Sequence, residues 1–167
     1  MPTIQTHTGT ASILGNTASV DKEVLGAIFT ILNADTALKT ATGINPSTGA
    51  SRPVAVHNQI AQNQPVPYVR ITLTDSVLLD DEAFDYTQPT CESVFVLVNV
   101  FSTYQPETFN ISSRLKFLLK HREITTAHYH GSTWLVSTDY FQDNQTQPDS
   151  VYQVAALRVR VNLEPLS

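Results

Sequence analysis

The sequence predicts an α+β fold: an antiparallel or mixed β-sheet with two helices packed on it, a long C-terminal β-hairpin and a flexible N-terminal arm. Two segments repeat apolar residues at helical spacing, and several others alternate apolar and polar residues as strands do. The chain has 167 residues, the size of one ordinary domain, and 41% of them are hydrophobic. We therefore expect one α+β domain over residues 20–167, preceded by the arm over residues 1–19.

Low charge is the most unusual feature of the composition. Charged residues make up 15% of the chain, against a usual value of about 25%. The polar surface must then come from Thr, Gln and Asn, which is typical of a chain that stays in contact with other protein. The net charge of −5 argues against general nucleic-acid binding. The single cysteine, Cys91, excludes an internal disulfide framework, and no apolar run is long enough to cross a membrane.

The first helix is predicted over residues 21–32. Its apolar stripe repeats at helical spacing and consists of Val20, Val24, Leu25, Ile28, Phe29, Ile31 and Leu32. Asp35 is placed to cap one further turn, residues 36–40, which Gly43 ends. The nineteen residues before Val20 contain no Lys, Arg, Asp or Glu. They are interpreted either as a terminus without a role or as an arm that becomes ordered on a neighbouring subunit.

Strands are predicted over residues 68–74 and 93–101, with a short apolar stretch at residues 54–57. The strand at residues 93–101 is apolar on both faces, because four valines face one side while Phe95, Leu97 and Phe101 face the other. Both faces must be covered, by a helix on one side and by something else on the other, and this domain is small. A second subunit is therefore a candidate to cover the other.

A second helix is predicted over residues 107–119. Its inner stripe is expected to be Phe109, Leu115, Leu118 and Leu119, and its basic outer face Arg114, Lys116, Lys120 and Arg122. Strands at residues 133–141 and 151–163 then form the terminal hairpin with a long tip.

No motif of a catalytic site is present: there is no glycine-rich phosphate loop and no nucleophile elbow. His121, His128 and His130 form the one cluster that resembles a metal site, but no carboxylate or cysteine at tight spacing completes it. We interpret them as surface or turn residues and predict no catalytic, cofactor or metal site. A small metal-binding enzyme built on these histidines, and a binding domain for a peptide or small ligand, are the alternatives from other classes.

Residues 75–92 hold six of the fifteen acidic residues and no Lys or Arg. The segment lacks the alternating pattern of a calcium loop. It is interpreted either as a solvated loop or as a surface with an electrostatic role.

The order of these elements resembles the tail-completion or tail-terminator proteins of long-tailed bacteriophages. The resemblance rests on a helix with an Asp-led turn (VLGAIFTILNADTALKTATG), a PVPYVRITL strand, an apolar SVFVLVNVFS strand, an ETFNISSRLKFLL helix and the terminal hairpin. It implies a non-enzymatic virion protein without cofactors, assembled in the bacterial host cytoplasm and located at the head-proximal end of the tail. There a homo-oligomeric ring, usually of six copies, ends tail-tube polymerisation and joins the head connector.

The resemblance implies three kinds of partner: further copies of the chain, the tail-tube protein and the head–tail connector protein. Genome DNA passes through the ring lumen without specific binding, and no membrane is involved. The expected contact surface between subunits is Phe95, Leu97, Phe101, Arg158 and Arg160. The acidic loop expected at the lumen or the connector-facing rim is Asp75, Asp80, Asp81, Glu82 and Asp85. Another neck or connector component, or a minor tail-tube protein, is the alternative within the same particle.

Overall fold

The computed structural model describes residues 10–42, 55–56, 66–78, 92–143 and 151–166. Three helices and six strands follow along the chain. They are α1 (Thr10–Ala34), α2 (Thr36–Thr42), β1 (Ala55–Val56), β2 (Tyr68–Leu78), β3 (Glu92–Ser102), α3 (Gln105–Leu119), β4 (Glu123–Thr125), β5 (Tyr129–Asp143) and β6 (Tyr152–Pro165).

The strands form one sheet in the order β1-β2-β3-β6-β5-β4. β1 pairs with β2 in parallel, and every other pair is antiparallel. The C-terminal hairpin pairs β5 with β6 from Tyr129 opposite Pro165 to Asp143 opposite Tyr152. The predicted fold class, a mixed sheet with helices and a long terminal hairpin, is confirmed.

The core lies between the helices and one face of the sheet, here called the helix face. The four even-numbered valines of β3 are fully buried there, opposite Ala155, Leu157, Val159 and Val161 of β6. Helix α1 contributes a row of residues four apart, all buried: Val20, Val24, Ile28 and Leu32. Each such side chain stabilises the fold by roughly 1.5–3 kcal/mol relative to an exposed one.

Three details of the prediction were wrong. Helix α1 begins at Thr10 rather than residue 21. The inner stripe of α3 is Thr108, Ile111, Ser112, Leu115 and Leu119. Phe109 is instead 41% exposed, and its ring contacts that of Tyr140 on β5 with 4.9 Å between centroids. Strand β4 was not expected, since three residues are too few to show a period. Gly43 and residues 1–9 lie outside the described residues.

The predicted cap of α2 is confirmed. The Oδ1 atom of Asp35 accepts a hydrogen bond of 2.7 Å from the backbone N–H of Leu38. The guanidinium of Arg114 on α3 binds the same carboxylate through both oxygens, with Nε to Oδ1 at 3.0 Å and an Nη to Oδ2 at 2.5 Å. This pair joins α2 to α3 and holds the pKa of Asp35 below its ordinary value.

Candidate interaction surface

The sheet has a second face, on the side away from the helices. The odd-numbered residues of β3 lie on it, and the register places each opposite a residue of β6: Phe95 opposite Arg160, Leu97 opposite Arg158, and Phe101 opposite Val154. All five residues predicted as a contact surface between subunits are thus on the same face. The prediction grouped them because the strand period of two assigns the residues of β3 and of β6 to faces separately.

Arginine side chains lie over aromatic rings on the second face. The Cζ atom of Arg158 is 4.9 Å from the ring centre of Phe95, and that of Arg70 is 5.3 Å from the ring centre of Phe101. Arg160 donates from Nε to the Oδ1 atom of Asn162 at 2.7 Å. Such contacts hold guanidinium groups in place while leaving donors for a partner. Arginine and aromatic residues are enriched where proteins meet.

Phe101 differs from the other four predicted residues because its own chain covers it. Tyr68 stacks on its ring at 4.8 Å between centroids, and the Tyr152 ring lies perpendicular to it at 6.5 Å between centroids. Phe101 is therefore 3% exposed, and its expected place in an exposed contact surface is corrected to a place in a small aromatic cluster. Phe95 and Leu97 remain half-buried, and Arg158 is exposed.

Two polar atoms on neighbouring strands of the second face lack hydrogen-bond partners. They are Nε of Arg70 and Oδ1 of Asn99, both buried, on residues that lie directly opposite each other in the β2–β3 pair. Sequence reasoning did not single out either residue. The signal available in the sequence was the alternation of residues along β2, which places Arg70 on the same face as Tyr68 and Thr72.

Trp134 is a further residue of this face that the sequence analysis missed. It lies opposite Arg160 in the β5–β6 pair and is 45% exposed. The His121 ring contacts it and lies perpendicular to it, with 4.3 Å between ring centroids. The alternation of residues along β5 could have placed Trp134 on this face, but the bulge between Leu135 and Ser137 interrupts that alternation.

The three histidines that resembled a metal site have separate partners. Nδ1 of His128 lies 2.6 Å from Oε1 of Glu23, Nδ1 of His130 lies 3.3 Å from the hydroxyl of Thr125, and His121 packs on Trp134. Across the described residues, no group of three or more His, Cys, Asp or Glu is placed to hold a metal ion.

Most of the predicted acidic loop lies outside the described residues. This applies to Asp80, Asp81, Glu82 and Asp85, and also to Cys91. Asp75 is a residue of β2 and pairs with Phe95 next to a register shift in the β2–β3 ladder.

The basic residues of α3 are partly engaged within the chain. Arg114 binds Asp35, and the ammonium of Lys116 donates to the hydroxyl of Tyr140 at 3.0 Å. Burial by itself raises the pKa of Tyr140, but hydrogen bonds with Ser112 and Lys116 outweigh it, so the pKa is lowered. These contacts join α3 to β5. The expected solvated basic face is thus reduced to the end of the helix, where Lys120 and Arg122 are exposed.

Within the described part of the chain, no helix has the length and apolar character needed to span a membrane.

Fold and surface together define an α+β domain with helices on one face of its sheet and an arginine–aromatic surface on the other. No family model matches the sequence, and no curated protein is significantly similar to it. Among solved structures, a chain from "Virion of native gene transfer agent (GTA) particle" has a similar fold, with a TM-score of 0.63 and 15% sequence identity. The alignment covers 87% of this chain and 98% of that chain, so the two share nearly their whole fold.

Proposed function

We propose that this protein is a structural component of a phage-like virion, and that it forms a ring at the head-proximal end of the tail. The observation that carries the proposal is the fold shared with a virion chain over 98% of that chain's length. In this role the protein ends the polymerisation of the tail tube and forms the joint to the head connector. Its function is contact with other proteins and involves no catalysis.

The second face supports assembly into a homo-oligomer. Phe95, Leu97, Arg158 and Arg160 combine apolar area with arginines held over or beside aromatic rings. The low overall charge, 15% of residues, reduces the desolvation cost of contacts between copies. A ring of six copies follows from the resemblance to tail-terminator proteins.

The acidic segment has a place in the same proposal. Genome DNA must pass through the lumen of such a ring, and a wall that bound phosphates tightly would stall it. Asp75, Asp80, Asp81, Glu82 and Asp85 supply negative charge without a neighbouring base. We place this loop at the lumen or at the connector-facing rim.

Another neck or connector component, or a minor tail-tube protein, is the alternative role within the same particle. A tube-capping assay separates these roles. The tail-tube protein of the same particle is polymerised with and without this chain, and tube lengths are measured by electron microscopy. A terminator stops elongation and is found at one tube end. A protein that binds along the tubes or leaves their growth unchanged is not a terminator.

A further inference from the structure

Strand β5 has a free edge along residues 137–142. One side of β5 pairs with β6, while β4 on the other side pairs only with His130, Gly131 and Ser132. Within the described residues, no strand pairs with the outer side of residues 137–142. Since alternate residues of an antiparallel strand direct their N–H and C=O groups outward, this edge presents about three unpaired groups of each kind.

The free edge carries two exposed aromatic residues, and Asp139 is its one charged residue. Tyr140 is 44% exposed and Phe141 is 50% exposed. The whole of β5 contains no Lys and no Pro, which are the residues that commonly block an edge strand. The bulge between Leu135 and Ser137 ends the regular run on one side. Residues 137–142 therefore form a regular template for one added strand.

A cleft lies beside the same residues. Its lining consists of Tyr140, Phe141 and Gln142 of β5, Gln105, Thr108 and Phe109 of α3, and Gln153 and Val154 of β6. Its volume is about 150 Å³, room for one aliphatic side chain, and none of its lining residues is charged. An added strand would gain backbone hydrogen bonds from the edge and a side-chain pocket from the cleft, the usual combination in strand addition.

We propose that residues 1–9 of a second copy add to this edge as a strand. The inference rests on the homo-oligomeric part of the proposed function. The segment, MPTIQTHTG, has no Lys, Arg, Asp or Glu, which matches the uncharged cleft, and it alternates β-favouring residues around Ile4. Extended, nine residues span about 30 Å, longer than the six-residue edge. Among the described residues no strand pairs with this edge, and Tyr140 and Phe141 are half exposed, which leaves the edge open to a second copy.

Cross-linking between two populations of full-length chain tests this proposal. Both carry Cys91→Ser; one carries Ile4→Cys and the other Gln142→Cys, and the assembled mixture is treated with a short bis-maleimide. We expect a hetero-dimer adduct from this mixture. The matched control replaces Gln142→Cys with Lys120→Cys, which is also exposed but lies at the end of α3; we expect only background adduct. Equal yields from the two mixtures overturn the proposal.

A charge placed at the edge provides the second test. Phe141→Lys introduces the residue that natural edges use to prevent pairing, and we expect it to weaken self-association about tenfold, or 1.4 kcal/mol. The matched control is Phe117→Lys, another exposed phenylalanine (71%) outside the cleft. Unchanged association of Phe141→Lys, in a variant folded by circular dichroism, contradicts the proposal.

Three outcomes separate this inference from the proposed function. A chain that assembles without the Ile4–Gln142 adduct overturns only the strand addition. A chain that stays monomeric overturns both. A double variant, Ile4→Cys with Gln142→Cys, that cross-links within one chain shows that the arm occupies its own edge, which also contradicts exchange between copies.

Discussion

At the scale of single residues, Asp35 shows which contacts of a side chain can be predicted from its neighbours in sequence and which cannot. Its position after α1 and before a polar turn predicted an N-cap, and its carboxylate does cap α2. Its second partner, Arg114, is 79 residues away in sequence, and no local pattern connects the two. Capping is decided by neighbouring residues, whereas a tertiary ion pair depends on where two helices pack.

Replacing Asp35 separates these two contributions. Asp35→Ala removes the cap and is expected to lower the free energy of unfolding by about 1 kcal/mol. Asp35→Asn keeps an oxygen that can accept the hydrogen bond from the Leu38 N–H, so it should lower the free energy of unfolding by less. Urea denaturation near neutral pH compares them, and equal losses would show that the cap contributes nothing.

The pH dependence follows from the lowered pKa of Asp35, whose ordinary value is 3.8. Because the folded-state pKa is depressed, the carboxylate stabilises the fold above the ordinary value, and this stability is lost as pH falls through the folded-state pKa. The acid-induced loss of stability should therefore be shallower in Asp35→Asn than in the unchanged chain. Identical pH profiles from urea denaturation would contradict this assignment.

At the scale of elements, long periodic segments could be predicted and short or interrupted ones could not. The alternation of β3 and β6 gave both faces of the sheet, because a strand of eleven or more residues repeats its period several times. In α3, the spacing selected Phe109, which is 41% exposed, whereas the helix buries Thr108 and Ser112. Their hydroxyl groups are paired with Tyr104, Gln153, Phe109 and Tyr140, which makes burial of polar residues acceptable.

Two glycines provide a matched pair of tests for the elements that contain them. A Cβ atom at Gly131 would overlap the backbone carbonyl of Asn162 in the adjacent strand, whereas one at Gly26 on α1 meets nothing within 4 Å. Gly131→Ala should lower the free energy of unfolding by roughly 1–3 kcal/mol through overpacking. Gly26→Ala should raise it by roughly 0.5–1 kcal/mol through helix propensity. Thermal or urea denaturation measures both, and a neutral Gly131→Ala would mean that β5 and β6 do not approach this closely.

At the scale of the whole molecule, the candidate surface was partly predictable. The two-faced pattern of β3 identified Phe95 and Leu97, and the register of the sheet brings Arg158 and Arg160 beside them. The cover on Phe101 and the free edge of β5 were not predictable. Both depend on which strands become neighbours, and a single sequence does not specify strand order.

The acidic segment makes a prediction about the assembled particle. Asp80, Asp81, Glu82 and Asp85 are changed together to Asn or Gln. A lumen position predicts normal rings and normal tail length with altered DNA retention or ejection. The change should be larger at low salt, because charge screening shortens with ionic strength. If heads fail to join tails, the acidic segment lies at the connector-facing rim instead. Normal particles at every ionic strength would show that the segment is only a solvated loop.

The central claim, that this chain assembles through the second face of its sheet, is tested most directly by sedimentation velocity at increasing concentration. The unchanged chain should form a closed oligomer of about six times the 18.4 kDa subunit mass. Leu97→Glu on the second face should reduce that species, while Phe117→Glu on α3 should not. A monomer at every concentration, or equal association of both variants and the unchanged chain, would contradict the account.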